Sequence, residues 1–397
     1  MTIYQEALAI KDEIMANRRY LHQNPELGLD LPLTAAYVEK KLIEMGYQPK
    51  RVGDYGVVAT IGKAGGKCFL LRGDMDALPV EEQADVDFKS TNGNMHACGH
   101  DCHAAMLLGA AKLLKAHESE LEGMVKLMFQ PAEETMEGAA MMIENGILEN
   151  PHVDAALAIH AFTAMPFPVG TVLAYGANSK FASVDWFTIK ITGKGCHGAL
   201  PHTGVDPLTV MSHIHLALQA INAREMNPSE PMVLTIGQMH GGQTSNVIPQ
   251  EAYMTGTIRA VTNEGRAFIK ERMEAIVSAT AAAFRAEAHV EYGAGCPVLR
   301  FDESLYHQLK QYCTAEGDLP FVDMSEVGMD GNSMGSEDFA YVINRVPGMF
   351  LGVAAGRPED GRIYPQHHPM AIFEEDALPS GVAAYVLSAM QWLKDHK

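Results

Sequence analysis

Nine residues, Met95 to His103, read MHACGHDCH and carry three histidines, two cysteines and an aspartate. Imidazole, thiolate and carboxylate are the ligand types of zinc-like divalent ions. One isolated histidine is usually a satisfied core residue, but a cluster this dense at a strand-to-helix passage points to metal binding. Cys98 and His100 are two apart, and in an extended segment side chains two apart point the same way, so both could reach one site. The spacing is too short for a zinc finger, and no second cysteine pair completes one. A Cys98–Cys102 redox pair is the sulfur-only alternative, and it leaves the histidines unexplained.

Other candidates fall where apolar runs end. Glu133 and Glu134 lie in FQPAEETMEG, just past a buried-strand pattern. Adjacent carboxylates can diverge, one holding a cation and the other a proton near a bound water. His160 ends the run AALAIH, His367 and His368 lie in YPQHHPM, and Asp74 and Asp76 follow CFLLR in RGDMDALP. Ligands drawn from several strand ends of one sheet are how an α/β fold assembles a site. Two glycine-rich strings are set aside. GKGCHG at 193–198 has the form G-x-G-x-x-G, but Pro201 interrupts any following helix and no acidic residue lies about 20 positions on. GKAGGK at 62–67 lacks the spacing and the Ser/Thr of a phosphate loop and reads as a turn.

The elements that must position these residues follow from periodicity. CFLLR (68–72), VKLMFQ (125–130), AALAIH (155–160) and MFLGVA (349–354) predict buried strands. Helices are expected between them, over 103–116 and 137–148, with an earlier one from Thr34 as N-cap to Gly46 as its stop. That alternation implies an α/β domain with a mostly parallel sheet. After about residue 181 the order becomes β-α-β-β-α-β, the split βαβ (ferredoxin-like) pattern of an inserted α+β unit. The expected organisation is an α/β domain in two parts, 1–181 and 294–397, with the α+β unit at 182–293 inserted between them.

Composition bounds the function. The 397 residues are 47% hydrophobic and carry 30 Lys+Arg against 49 Asp+Glu, a formal net charge of −19. An acidic balance argues against nucleic acid or an anionic membrane as partner. No stretch of ~18 consecutive apolar residues occurs. The N-terminus reads as an amphipathic helix rather than a signal peptide, and the expected compartment is the cytoplasm. Six cysteines are too sparse for a disulfide scaffold.

The strings RRYLHQNPELG, RGDMDALP, MHACGHDCH, FQPAEE, TSNVIP, GTIR, GSEDFA and HHP together resemble the aminoacylase, hippurate hydrolase and auxin-conjugate amidohydrolase branch of the co-catalytic metallopeptidases. The resemblance runs along nearly the whole chain. It implies that the two α/β parts are a metal-bearing catalytic domain and the insert a lid or dimerisation domain, in a homodimer or dimer-based homo-oligomer. By resemblance, Cys98, His100, Glu134, His160 and His367 match ligands of two divalent ions. Manganese or zinc leads, with nickel or cobalt open. Glu133 matches the general base and His197 a lid histidine that stabilises the tetrahedral intermediate. Asn246 and Arg259 match residues that hold the substrate carboxylate. The wider clan has His-x-Asp and a bridging Asp where this chain has Asp74-Met75-Asp76 and Cys98, so the metal is less defined than the architecture. The implied activity is hydrolysis of N-acyl amino acids, a small-molecule substrate class. A dipeptidase or carboxypeptidase of the same mechanism is the alternative, and a non-catalytic metal-dependent binding protein is the rival of another class.

Overall fold

Continuous apolar runs make the centre of the larger sheet. In the computed structural model, which describes residues 1–329 and 331–397, the strands Cys68–Asp74, Ala155–Phe162 and Gly348–Ala354 are almost wholly buried. With Met124–Gln130 they form four consecutive parallel neighbours, in the order 124–130, 68–74, 155–162, 348–354. Burial on both faces is what a parallel sheet covered by helices requires. Two further strands on each side, the first on each side antiparallel to the centre, extend this sheet to eight. Because the four central strands run the same way, Asp74, Gln130 and His160 all come to one edge, where α/β folds place ligands.

Helices His100–Ala116 and Leu378–Asp395 pack closely against each other. A Cβ added at Gly109 would come within 2.7 Å of Val382, and one at Gly381 within 2.1 Å of the Met106 sulfur. Only glycine lets the two backbones approach this far.

The described residues group into two compact units, Met1–Ser179 with Arg300–Gly331 and Asp338–Lys397, and Lys180–Leu299 with Asn332–Glu337. The second unit contains strands Ser183–Thr192, Met232–Gly241, Glu251–Ala260 and Glu287–Cys296 in one antiparallel sheet. Its spatial order, second-third-first-fourth, is that of the split βαβ pattern. Ile189, Ile191, Met254 and Ile258 bury one sheet face against Ile214, Ile269, Met273 and Val277 of helices Pro207–Ala220 and Asn263–Ala283. The opposite face exposes Trp186, Lys190 and Tyr253.

Two local expectations are corrected. Thr34 is not an N-cap; the helix begins two residues earlier and runs Pro32–Glu44. Pro32 occupies the first turn, where no N–H is needed. The orphan N–H groups of Leu33 and Thr34 donate to the two carboxylate oxygens of Glu26, at 3.1 and 2.8 Å. The cap therefore comes from the preceding loop. The segment Cys98–His100 is also not extended. Gly99 sits at φ 90, in the left-handed region, and His100 already opens the helix.

Candidate metal centre

The left-handed turn at Gly99 turns Cys98 and His100 toward one space. A Cβ there would meet the Phe373 ring at 2.8 Å, so both backbone angle and packing demand glycine. Beyond strand Met124–Gln130 the chain winds tightly. Ala132 and Met136 have positive φ, at 56 and 59, and bracket Glu133 and Glu134. His367 also has positive φ, at 67, and its N–H donates to the Ala97 carbonyl at 2.9 Å. Non-glycine residues rarely adopt this region, and such strain gathers at functional sites.

Cys98, His100 and His160 form one group of donor atoms lying within 4.8 Å of one another, and Cys98, Glu134 and His367 form another. Cys98 belongs to both. Its sulfur is 3.4 Å from His160 Nε2. Cys102, by contrast, is buried in the helix interior, outside these groups.

Hydrogen bonds fix which ring nitrogen each histidine presents. His160 Nδ1–H donates to the Ala161 carbonyl at 2.7 Å, so the Nε2 lone pair faces Cys98. His100 Nδ1–H donates to Asp76 Oδ1 at 3.2 Å, and its Nε2 lies 3.8 Å from both Glu133 Oε2 and Glu134 Oε1. The second oxygen of Asp76 accepts the Glu134 N–H at 3.0 Å. One buried carboxylate thus orients two members of the cluster.

The electrostatics call for positive charge. Burial opposes charging of His100, but Asp74, Cys98 and the Asp76 hydrogen bond hold its pKa well above the usual histidine range. The Cys98 and Glu134 side chains beside it raise His367 to about 10 against burial. Burial, with His103 beside it, keeps His160 well below the usual range. Glu134 Oε1 is buried without a hydrogen-bond partner; its nearest cations are His367 Nε2 at 3.4 Å and His100 Nε2 at 3.8 Å. A buried, underserved carboxylate beside a thiol and three imidazoles is a donor set that fits divalent cations.

Beneath the cluster lies a network the spacing did not reveal. Arg72, fully buried, pairs with Asp74 Oδ2 at 2.7 Å and Asp338 Oδ1 at 3.2 Å, and donates to Gln130 Oε1 at 2.9 Å. Asp74 Oδ1 accepts from His103 Nδ1 at 2.5 Å. The alternation Asp74-Met75-Asp76 at a strand end is the sequence signal that could have marked both aspartates as supports.

The remaining candidates lie in the second unit. His197 and Asn246 are neighbours, because Cys196–His197 pairs with Val247–Ile248 and Gly198 N–H donates to the Asn246 carbonyl at 2.8 Å. His197 Nδ1 accepts the Ala199 N–H at 3.0 Å, which leaves the proton on an exposed Nε2. Arg259 lies elsewhere in that unit, on strand Glu251–Ala260. Its Nη1 donates to Met334 O at 3.1 Å and Ser336 Oγ at 2.6 Å.

Residues 70–391 match the model of peptidase family M20/M25/M40. The chain belongs to this family. The N-acetyl-L-cysteine deacetylase of Bacillus subtilis (strain 168) is 38% identical, over 93% of this chain and 85% of that protein. Thermostable carboxypeptidase 2 of Saccharolobus solfataricus is 37% identical, over 96% of each. Among solved structures, the YxeP protein of Bacillus subtilis, described as a dinuclear metal-binding peptidase of the M20 family, superposes with a TM-score of 0.79. It is 30% identical, and the match covers 97% of this chain and 99% of that one. This M20-family chain is a metal-binding hydrolase, with donor clusters suited to two divalent ions. No helix among the described residues is long and apolar enough to cross a membrane.

Proposed function

We propose that the chain hydrolyses the amide bond of N-acyl amino acids, releasing a carboxylic acid and a free amino acid. The observation that carries this reading is the pair of donor groups sharing Cys98, with Glu133 beside them. The deacetylase relative supports the substrate class. Cys98, His100, Glu134, His160 and His367 would hold two divalent ions. Bound there, such ions supply Lewis acidity that lowers the pKa of water and polarises an amide carbonyl.

The chain's own groups do the rest. Glu133, 5% exposed, is the carboxylate placed to take a proton from the attacking water and pass it to the leaving amine. His197, with its proton on Nε2, donates to the developing oxyanion. Arg259 has Nε and Nη2 without hydrogen-bond partners among the described residues, and with Asn246 would hold the free α-carboxylate. Thiolate and imidazole favour zinc, while the carboxylate admits manganese.

We assign lid and dimerisation roles to the inserted unit. Strand Met232–Gly241 is an edge of its sheet and exposes Met239. An open ten-residue edge of this kind suits pairing with a second copy. The six free cysteines suit a reducing compartment, for which we propose the cytoplasm.

The test compares metal-loaded enzyme on N-acyl amino acids, on their carboxamides, and on peptides with a free C-terminus. Turnover of the acyl amino acids with at least tenfold loss on the carboxamides is expected, a difference of about 1.4 kcal/mol. Equal turnover of both overturns the Arg259 assignment. Preference for longer peptides favours a carboxypeptidase, the activity named for the Saccharolobus relative.

A further inference from the structure

Strand Ala155–Phe162 is longer than its neighbour. Its pairing with Cys68–Asp74 stops at Ala158 opposite Arg72. Past that point the backbone N–H groups facing the missing partner need other acceptors, since a buried N–H left unpaired is costly. Tyr385 Oη accepts the Ile159 N–H at 3.0 Å and itself donates to the Arg72 carbonyl at 2.6 Å. His103 Nε2 accepts the Ala161 N–H at 2.8 Å. That acceptance fixes the His103 proton on Nδ1, which donates to Asp74 Oδ1 at 2.5 Å. The Ala161 carbonyl receives the Nδ1–H of His160 at 2.7 Å. The His103 and His160 rings lie 4.3 Å apart.

We infer that Asp74 and His103 are positioning residues for His160: they anchor the overhanging backbone on both sides of the Ala161 Cα, and through it the ring that presents Nε2 to the metal centre. This rests on the reading of His160 as a metal ligand. Asp74 acts through His103 and Arg72 and does not itself coordinate an ion. His103 spends both nitrogens on the protein and coordinates none either.

The test is metal binding, independent of turnover. Wild-type, His103→Leu, His103→Gln and Asp74→Asn proteins are stripped, titrated with Co²⁺ or Zn²⁺ against a chromophoric chelator, and their Co²⁺ absorption bands compared. Wild type should bind two ions. His103→Leu should weaken one of them by roughly 10–100-fold, the range found when the partner orienting a metal-bound histidine is lost. Its Co²⁺ bands should shift. His103→Gln, whose amide oxygen can still accept from Ala161, should recover most of the affinity. Asp74→Asn should fall between them. If His103→Leu fails to fold, the Gln and Asn variants carry the comparison. Wild-type affinity and bands in His103→Leu overturn the inference. So does an Asp74→Asn that loses a whole ion while both His103 variants keep theirs, which would make Asp74 a ligand. Wild type that binds no ion removes the metal-centre reading itself, and the inference with it.

Discussion

In the metal centre, His100, His103 and His160 are buried, and each ring gives its Nδ1 proton to a fixed acceptor: Asp76, Asp74 and the Ala161 carbonyl. In the inserted unit, His197 is exposed and its Nδ1 accepts a hydrogen bond from the N–H of Ala199, two residues on. The same side chain is thus set to opposite ends. Tied by an Nδ1–H, His160 shows an Nε2 lone pair, which suits a cation, and His100 would show one once a cation takes the place of its second proton. Tied by an accepting Nδ1, His197 shows an N–H, which suits an anion. Burial differs as well. The three buried rings are held by packing and fixed acceptors, whereas the His197 ring is held by its own turn.

The largest test of this contrast separates proton transfer from metal holding. Glu133→Gln should lower kcat by about 10²–10⁴-fold while metal content stays at wild-type level, read by turnover and elemental analysis. A variant that keeps most of its activity would remove Glu133 as the base. Next, His197→Ala should cost about 10²–10³-fold in kcat with metal affinity unchanged. Mixing inactive Glu133→Gln and His197→Ala chains sharpens the point. Recovered activity in mixed dimers is the expected sign that His197 serves a partner's site, and mixed dimers that form and stay dead would assign it to its own chain. A smaller effect belongs to the buried side: Asp76→Ala should weaken ion binding roughly 10–100-fold, because His100 loses its orienting acceptor. A chelator titration with unchanged midpoints would contradict that. Smallest is a control outside both regions. Glu26→Ala removes the carboxylate that caps helix Pro32–Glu44 and should cost roughly 1 kcal/mol, seen as a lower Tm with kcat and metal content intact.

How much of this could be read from sequence depended on distance along the chain. Cys98, His100, Glu133 and Glu134 announce themselves because reactive types are crowded into short strings. The central strands are legible because burial on both faces demands uninterrupted apolar residues, as in Cys68–Leu71 and Ala155–Ile159. The left-handed turn at Gly99 was hidden because nothing in the neighbouring residues distinguishes a turn from an extended link; the Phe373 ring that enforces it lies far along the chain. The Glu26 cap escaped for a similar reason, since a cap supplied by a loop side chain leaves no Ser, Thr, Asp or Asn at the boundary. Arg72 reads as an ordinary polar residue, and His103 as one more member of the crowded histidine cluster, until the register of three strands places Asp74, Gln130 and Ala161 around them.

The bond from Ala161 to His103 joins two nitrogens through one proton. In ¹⁵N-labelled, deuterated protein, both ends of such a bridge are spin-½ nuclei. Magnetisation can then pass from the amide nitrogen to the imidazole nitrogen across the hydrogen bond, something an ordinary N–H to carbonyl contact cannot report with this label. The support under His160 is therefore open to spectroscopic inspection in the metal-free protein, before any ion or substrate is added.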